Sequence, residues 1–347
     1  MKSLPYEWLY TGWNQLQAMR PRLPHALLLS GPSGMGKRLL AEYFAQSLLC
    51  EKACAGGEAC GECGACRWFA DGNHPDYRAV LPETLQPESA PASEAIAEAG
   101  AEVGGSKSKA APSKVIKIGQ IRALDGFFNV GTHRAGRRVV VVYPADALNV
   151  DAGNALLKTL EEPPADTLFL LVTSRINEVL PTIRSRCAKL PLRRPAAART
   201  LAWLASAGVR DPENALAEAG GAPLAAVVAD PNAELRETLL GALAGDRAID
   251  PIALAEKCEK AGATNLCVWL ARWTSDLVLC ENGLEVRYHP KHGRALKAVA
   301  GRIRSAALHA YYRRLMHMRR VSEHPLNTRL FAEELLIDYA RLAAPGK

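Results

Sequence analysis

Ala26-Leu27-Leu28-Leu29-Ser30-Gly31-Pro32-Ser33-Gly34-Met35-Gly36-Lys37-Arg38 is the stretch that decides the fold class. It opens with an apolar run of strand length. Three glycines follow within six residues, and then Leu39, Leu40, Tyr43, Phe44 and Leu48 recur at helical spacing. Strand, glycine-rich turn and helix form the opening unit of a phosphate-binding α/β domain, because the turn's N–H groups and the helix N-terminus together cradle an anion. Gly31, Gly34, Gly36 and Lys37 are the candidate phosphate ligands.

Working outward, a helix is expected from about Tyr6 to Met19. Downstream, Ile118, Ile121, Leu124, Phe127 and Phe128 predict another. Val139-Val140-Val141-Val142-Tyr143 reads as a buried central strand from its β-branched continuity. Asp151 is expected to cap a helix carrying Ala155, Leu156 and Leu160 and stopped by Pro163-Pro164. Leu168-Phe169-Leu170-Leu171-Val172-Thr173 is a further buried strand. This alternation predicts a parallel sheet with helices on both faces.

After about Pro191 the strand signals cease. A small helical unit interrupted at Gly220-Gly221 comes next, and helical patterning resumes from about Asp250 to Leu342. The expected architecture is an α/β P-loop domain over 1–192, a small helical domain over 193–245 and an all-α domain over 246–347. Within the first lie a cysteine-rich module (50–66) and an insertion (84–113). The insertion is rich in Ala, Ser, Glu, Gly and Pro, has no aromatic residue, and reads as a mobile surface segment.

The 347 residues are too many for one compact core, in keeping with two or three domains. With 48% hydrophobic and 23% charged residues, a mainly disordered chain is excluded. No apolar run reaches the roughly 18 residues that would span a bilayer. Met1–Glu7 has no apolar core of a secretory signal, so a soluble, cytoplasmic protein without membrane contact is expected. The net charge of +7 is compatible with a nucleic-acid neighbourhood without requiring one.

An active P-loop adds a Ser or Thr hydroxyl to hold Mg²⁺ after its lysine, and acidic residues at the end of the central strand. Here the first position is Arg38, which offers a cation no neutral oxygen, and the second positions are Tyr143 and Pro144. Asp146 lies beyond the strand end. The chain is therefore expected not to hydrolyse ATP, with weak nucleotide binding left open.

Of nine cysteines, five fall in one window, Cys50, Cys54, Cys60, Cys63 and Cys66. Cys60-Gly61-Glu62-Cys63-Gly64-Ala65-Cys66 is a double C-x-x-C whose small turn residues let thiolates converge on one tetrahedral ion. In a reducing compartment this favours structural Zn²⁺ over disulfides. On spacing the fourth ligand is Cys50 or Cys54. His74, before Pro75, reads as a loop residue, and Cys187, Cys258, Cys267 and Cys280 as small core residues.

Three further runs carry a family resemblance. Leu23-Pro24-His25-Ala26-Leu27-Leu28-Leu29, Asn154-Ala155-Leu156-Leu157-Lys158-Thr159-Leu160-Glu161-Glu162-Pro163-Pro164 and Leu180-Pro181-Thr182-Ile183-Arg184-Ser185-Arg186-Cys187 resemble bacterial clamp loaders of the AAA+ ATPase superfamily, over nearly the whole chain. The resemblance implies a hetero-pentameric ring that opens a sliding clamp and places it on primed DNA. In it, motor subunits of the tau/gamma type bind ATP, a delta subunit pries the clamp, and this chain is a rigid stator. Its place would be in a replicative polymerase holoenzyme, a nucleotidyltransferase complex, with no catalysis of its own. The Ser185-Arg186-Cys187 motif implies that Arg186 reaches a neighbour's ATP as an arginine finger, a role worth roughly 10³–10⁵ in rate. Where motor subunits carry a phosphate-sensing arginine after Gly220-Gly221-Ala222-Pro223, this chain has Leu224. The resemblance also implies Cys50 as first zinc ligand, with Cys60, Cys63 and Cys66. It makes the last domain a collar packed through residues among Leu326, Leu330, Phe331, Leu335, Leu336 and Tyr339.

Arg302, Arg304, Arg313, Arg314, Arg319 and Arg320, with Tyr311 and Tyr312 between them, could share a helix face. A solvated face or ion pairs is the favoured reading, with nucleic-acid contact the alternative.

Overall fold

Runs of Leu and Val long enough to be buried on both sides become the inner strands of a sheet, as their continuity requires. The computed structural model describes residues 4–86, 112–133, 136–245, 249–322 and 327–343. The chain divides into two compact units, Met1–Pro195 and Ala196–Lys347.

The first unit runs α1 (Leu9–Met19), β1 (Ala26–Ser30), α2 (Lys37–Leu49), α3 (Gly64–Ala70), β2 (Tyr77–Val80), α4 (Ile118–Asn129), β3 (Arg138–Val142), α5 (Val150–Glu161), β4 (Thr167–Thr173), α6 (Pro181–Arg186) and β5 (Ala188–Pro191). The five strands are parallel, in the order β2-β3-β4-β1-β5. Because side chains alternate across a strand, Leu27, Leu29, Val139, Val141, Leu168 and Leu170 face α1 and α2 through Trp13, Leu16, Leu40 and Phe44. Leu28, Val140, Val142, Phe169 and Leu171 face the other way, onto Ile121, Leu124, Leu156 and Leu160 of α4 and α5. Each such side chain contributes about 1.5–3 kcal/mol on burial.

Three details differ from the expectation. β3 begins at Arg138 and ends at Val142, leaving Tyr143 just outside it. The side chain of Asn149, not Asp151, caps α5 by accepting from the Ala152 N–H at 2.8 Å, and Asp151 sits in the first turn. The edge strands β2 and β5 have no counterpart in the sequence reading. Most of the insertion lies outside the described residues, but its ends meet where the Thr84 N–H donates to the Ser113 carbonyl at 3.2 Å.

The second unit is helical: α7 (Ala197–Ser206), α8 (Pro212–Glu218), α9 (Pro223–Val227), α10 (Ala233–Ala244), α11 (Pro251–Cys258), α12 (Ala263–Glu281), α13 (Gly293–Ala300), α14 (Ser305–Val321) and α15 (Thr328–Ala343). Gly220 and Gly221 both take positive φ, which breaks the chain between α8 and α9. The expected segments 193–245 and 246–347 fall together in this unit, and Leu239, Leu240 and Leu243 of α10 join the core formed by α11–α15. At its centre Trp273 is fully buried and donates through Nε1 to the Tyr339 hydroxyl at 2.8 Å. Phe331, Leu335 and Leu336 are buried too, whereas Leu330 is 63% exposed and Leu326 lies outside the described residues. Cys187 is a core residue of the first unit, Cys258 and Cys267 of the second, and Cys280 packs half-buried against the second unit's core. Among the described residues no helix is long and apolar enough to cross a membrane.

Candidate functional site

The glycine-rich turn leaves the carboxyl end of β1, where open α/β sheets bind their ligands. Its glycines are sterically required. A Cβ on Gly31 would stand 2.5 Å from the Leu192 carbonyl oxygen, and Gly34 and Gly36 have φ of 71° and 82°. Gly36 delivers the chain into α2, whose first residue is Lys37. The Trp8 indole steadies the turn by donating to the Met35 carbonyl at 3.1 Å.

The backbone cradle is thus kept, but its lysine is turned inward. Lys37 is 4% exposed, and its Nζ donates to the Pro32 carbonyl at 2.6 Å and to Ser174 Oγ at 2.9 Å. Burial pulls its pKa down from the ordinary 10.5 to about 8, against the opposing pull of the Asp146 charge. Ser174 directly follows β4, the strand between β1 and β3. Sequence reasoning passed over it; the available signal was a Thr-Ser pair ending an otherwise apolar strand.

Arg38 lies along α2, its Nε 2.7 Å from Glu42 Oε1 and its guanidinium 5.7 Å from the centre of the Tyr143 ring. Tyr143-Pro144, joined by a cis peptide, occupies the end of β3 where an active enzyme places its acids. Asp146 follows in a single 3₁₀ turn, its side chain only 4% exposed. Its Oδ1 accepts from Thr173 Oγ1 at 2.5 Å and from the Ser174 N–H at 3.3 Å, and its Oδ2 from Arg175 Nε at 3.0 Å. Both carboxylate oxygens thus serve to join the ends of β3 and β4.

Arg186 closes α6, a helix opened by Pro181. Its guanidinium donates to the Thr182 carbonyl at 3.1 Å and pairs with Glu161 at the end of α5, while the side chain stays 36% exposed. Arg184, in the same last turn, is directed instead toward the Ile176 carbonyl at 3.4 Å. A partly exposed ion pair of this kind contributes little, about 0–1 kcal/mol, so Arg186 is held without being committed.

Cys50, Cys60, Cys63 and Cys66 come together, their four Sγ atoms within 4.8 Å of one another, while Cys54 is exposed and outside the cluster. Cys50 ends α2, and Cys63 caps α3. The closest separations are 3.5 Å (Cys50–Cys60), 3.9 Å (Cys50–Cys63) and 4.0 Å (Cys60–Cys66). Zn–S bonds of about 2.3 Å in a tetrahedron require sulfurs about 3.8 Å apart, so the donor set fits that ion. N–H groups of Glu62 and Cys63 point at Cys60 Sγ and draw its pKa down to about 6, whereas burial pushes Cys66 up. Arg20 ties the module to the domain, donating to the Gly57 carbonyl at 2.8 Å and the Ser47 carbonyl at 3.1 Å. His74 stands apart from the sulfurs, buried, with Nδ1 accepting from the Asp76 N–H at 3.1 Å.

Comparison with known proteins agrees over both units. Residues 13–196 match the family described as DNA polymerase III, delta subunit, and residues 231–341 match its C-terminal family. The DNA polymerase III subunit delta' of Pseudomonas aeruginosa is 36% identical, across 98% of this chain and 99% of its own. The subunit of the same name from Escherichia coli K12 is 34% identical, across 69% of this chain and 65% of its own. Among solved structures, a gamma subunit-related protein of DNA polymerase III from Thermotoga maritima aligns with 95% of this chain and 99% of its own, with 15% identity and a TM-score of 0.45.

Proposed function

The chain belongs to the family of DNA polymerase III delta' subunits, and we propose that it is the non-hydrolysing stator of a clamp loader, a ring that places a sliding clamp on primed DNA. The observation that best supports this is Lys37, held by the protein's own Pro32 and Ser174, beside a β3 end whose nearest carboxylate, Asp146, is taken up by Thr173, Ser174 and Arg175. Neither the lysine nor a Mg²⁺ ligand is then available to ATP, and residual nucleotide binding through Gly31, Gly34, Gly36 and Lys37 is weak.

Arg186 acts in trans. A guanidinium at the partly exposed end of α6 exchanges Glu161 for the γ-phosphate held by an adjoining subunit and stabilises charge on the transferring phosphoryl group. The partners are motor subunits of the tau/gamma type and a delta subunit in a hetero-pentamer, with clamp and DNA reached through the assembly. Residues 193–245 serve as lid and 246–347 as collar. Cys50, Cys60, Cys63 and Cys66 hold one structural Zn²⁺, which ties the end of α2 to α3. The protein works in the cytoplasm.

The test is ATP turnover by a reconstituted loader with clamp and primed DNA, comparing the unaltered protein, Arg186→Ala and Arg184→Ala in this subunit. A loss of roughly 10³-fold or more is expected at the site Arg186 serves, with little change for Arg184→Ala and no turnover by the chain alone. Normal turnover with Arg186→Ala sinks the finger. Hydrolysis by the isolated chain makes it a motor instead.

A further inference from the structure

Val179–Arg210 and Gly301–Ser322 are both basic and free of Asp and Glu. The first spreads seven Lys and Arg over α6, β5, α7 and the loops around them, and the second holds six arginines and two histidines, a formal +6. Most of it lies on α14, which turns Leu308, Tyr311 and Leu315 into the core of the second unit. At 3.6 residues per turn, His309, Arg313, His317 and Arg320 then share the opposite face, and all four are exposed. Between and beside them stand Ala306 and Ala310, too short to screen the cations.

The neighbouring arginine shows what a structural role looks like here. Arg314 leaves this face and is held by α15, 2.5 Å from Glu334 and 2.7 Å from Asp338. Among the described residues no acid pairs with Arg313 or Arg320. His309 Nδ1 lies 2.9 Å from the Ser305 carbonyl of its own helix, so fold stability accounts for Arg314 and in part for His309, and leaves Arg313 and Arg320 unexplained.

We propose that the His309–Arg320 face of α14 binds the phosphate backbone of nucleic acid. The row is about 16 Å long at 1.5 Å per residue. One strand of a duplex carries a charge every 3.4 Å, so the row lies along about five phosphates. A protein partner would need an apolar or aromatic anchor at the centre of the contact, and this face offers two arginines, two histidines and alanines. Phosphate contacts require nothing more than the cations. The inference does not depend on whether the P-loop is silent or Arg186 is a finger.

The experiment uses the full chain and fluorescence anisotropy of a labelled 30-nucleotide single strand and a primed template, over a series of salt concentrations. Each single-strand phosphate contact contributes about 0.7 to the slope of log K against log salt. Arg313→Ala/Arg320→Ala is expected to lower that slope by about 1.4 and weaken binding at low salt. Lys158→Ala/Lys257→Ala, which removes the same charge from exposed positions flanked by glutamates, is expected to leave the slope intact. Equal slopes in the two double variants overturn the proposal. So does a variant that binds DNA normally but no longer joins the other loader subunits, since the face is then a protein contact. Failure of the unaltered chain to join those subunits would sink the stator reading while leaving the DNA result standing.

Discussion

The two ends of α2, a helix of 13 residues, differ in what they hold. At the N-terminal end, a backbone built for a phosphate encloses the protein's own lysine, and Arg38 occupies the place of a Mg²⁺ ligand. At the C-terminal end, Cys50 meets three sulfurs from the following loop and the start of α3 at separations suited to a metal. Between them Leu40, Ala41 and Phe44 are fully buried against the sheet. The helix is thus anchored by packing along its middle, and each end carries its own chemistry. The backbone sets the shape of a phosphate cradle; whether it works depends on a few side chains.

The sharpest way to break this contrast is at the sulfur end. Cys66→Ser is expected to lower bound zinc from about one per chain to near zero by elemental analysis, while Cys54→Ser retains it. The accompanying loss in stability should be several kcal/mol, bounded by the apparent 10–16 kcal/mol of small zinc modules. If Cys54→Ser releases the metal instead, the ligand set is wrong.

At the phosphate end, shape should matter more than charge. Gly31→Ala drives a Cβ into the Leu192 carbonyl oxygen and is expected to cost about 2–3 kcal/mol in urea unfolding. Lys37→Met is expected to leave loader turnover unchanged and to alter the pH dependence of folding. The lysine has a pKa of about 8 folded against 10.5 unfolded, so the unfolded chain binds more protons between those values. Stability therefore rises with pH across that window, by up to about 1.4 kcal/mol per unit, and Lys37→Met should abolish that rise. A rise that persists in the variant assigns it to another group.

The smallest effect is expected from Arg38→Thr. It restores one potential Mg²⁺ ligand but leaves Tyr143 and Pro144 in place, and loses an i,i+4 pair worth about 0.3–0.5 kcal/mol and the guanidinium contact with the Tyr143 ring. No hydrolysis should appear in the isolated chain. Turnover there would show that one residue separates stator from motor.

The inner strands were legible because β1, β3 and β4 are buried on both faces and apolar except at their ends. The edges were not. β2, Tyr77–Val80, and β5, Ala188–Pro191, each have one neighbour and an exposed side, so their composition carries no period. The α5 cap was misassigned to Asp151 because both Asn149 and Asp151 suit the position, and only the backbone decides which side chain reaches the Ala152 N–H. Arg302–Arg320 read as one basic stretch, yet the fold separates Arg314, paired to α15, from Arg313 and Arg320.

By itself the sequence determined the parallel α/β domain, the missing Mg²⁺ ligands and the C-x-x-C-x-x-C thiolate motif, because each is a matter of which residue types stand at fixed short spacing. Tertiary structure decided what those residues meet. It placed Cys50 rather than Cys54 with the other sulfurs, since the end of α2 is fixed by its packing on the sheet. It also brought Ser174, 137 residues away in the chain, to the Lys37 ammonium. Such pairings depend on strand order, here β4 beside β1, and strand order is set by long-range burial that no local pattern encodes.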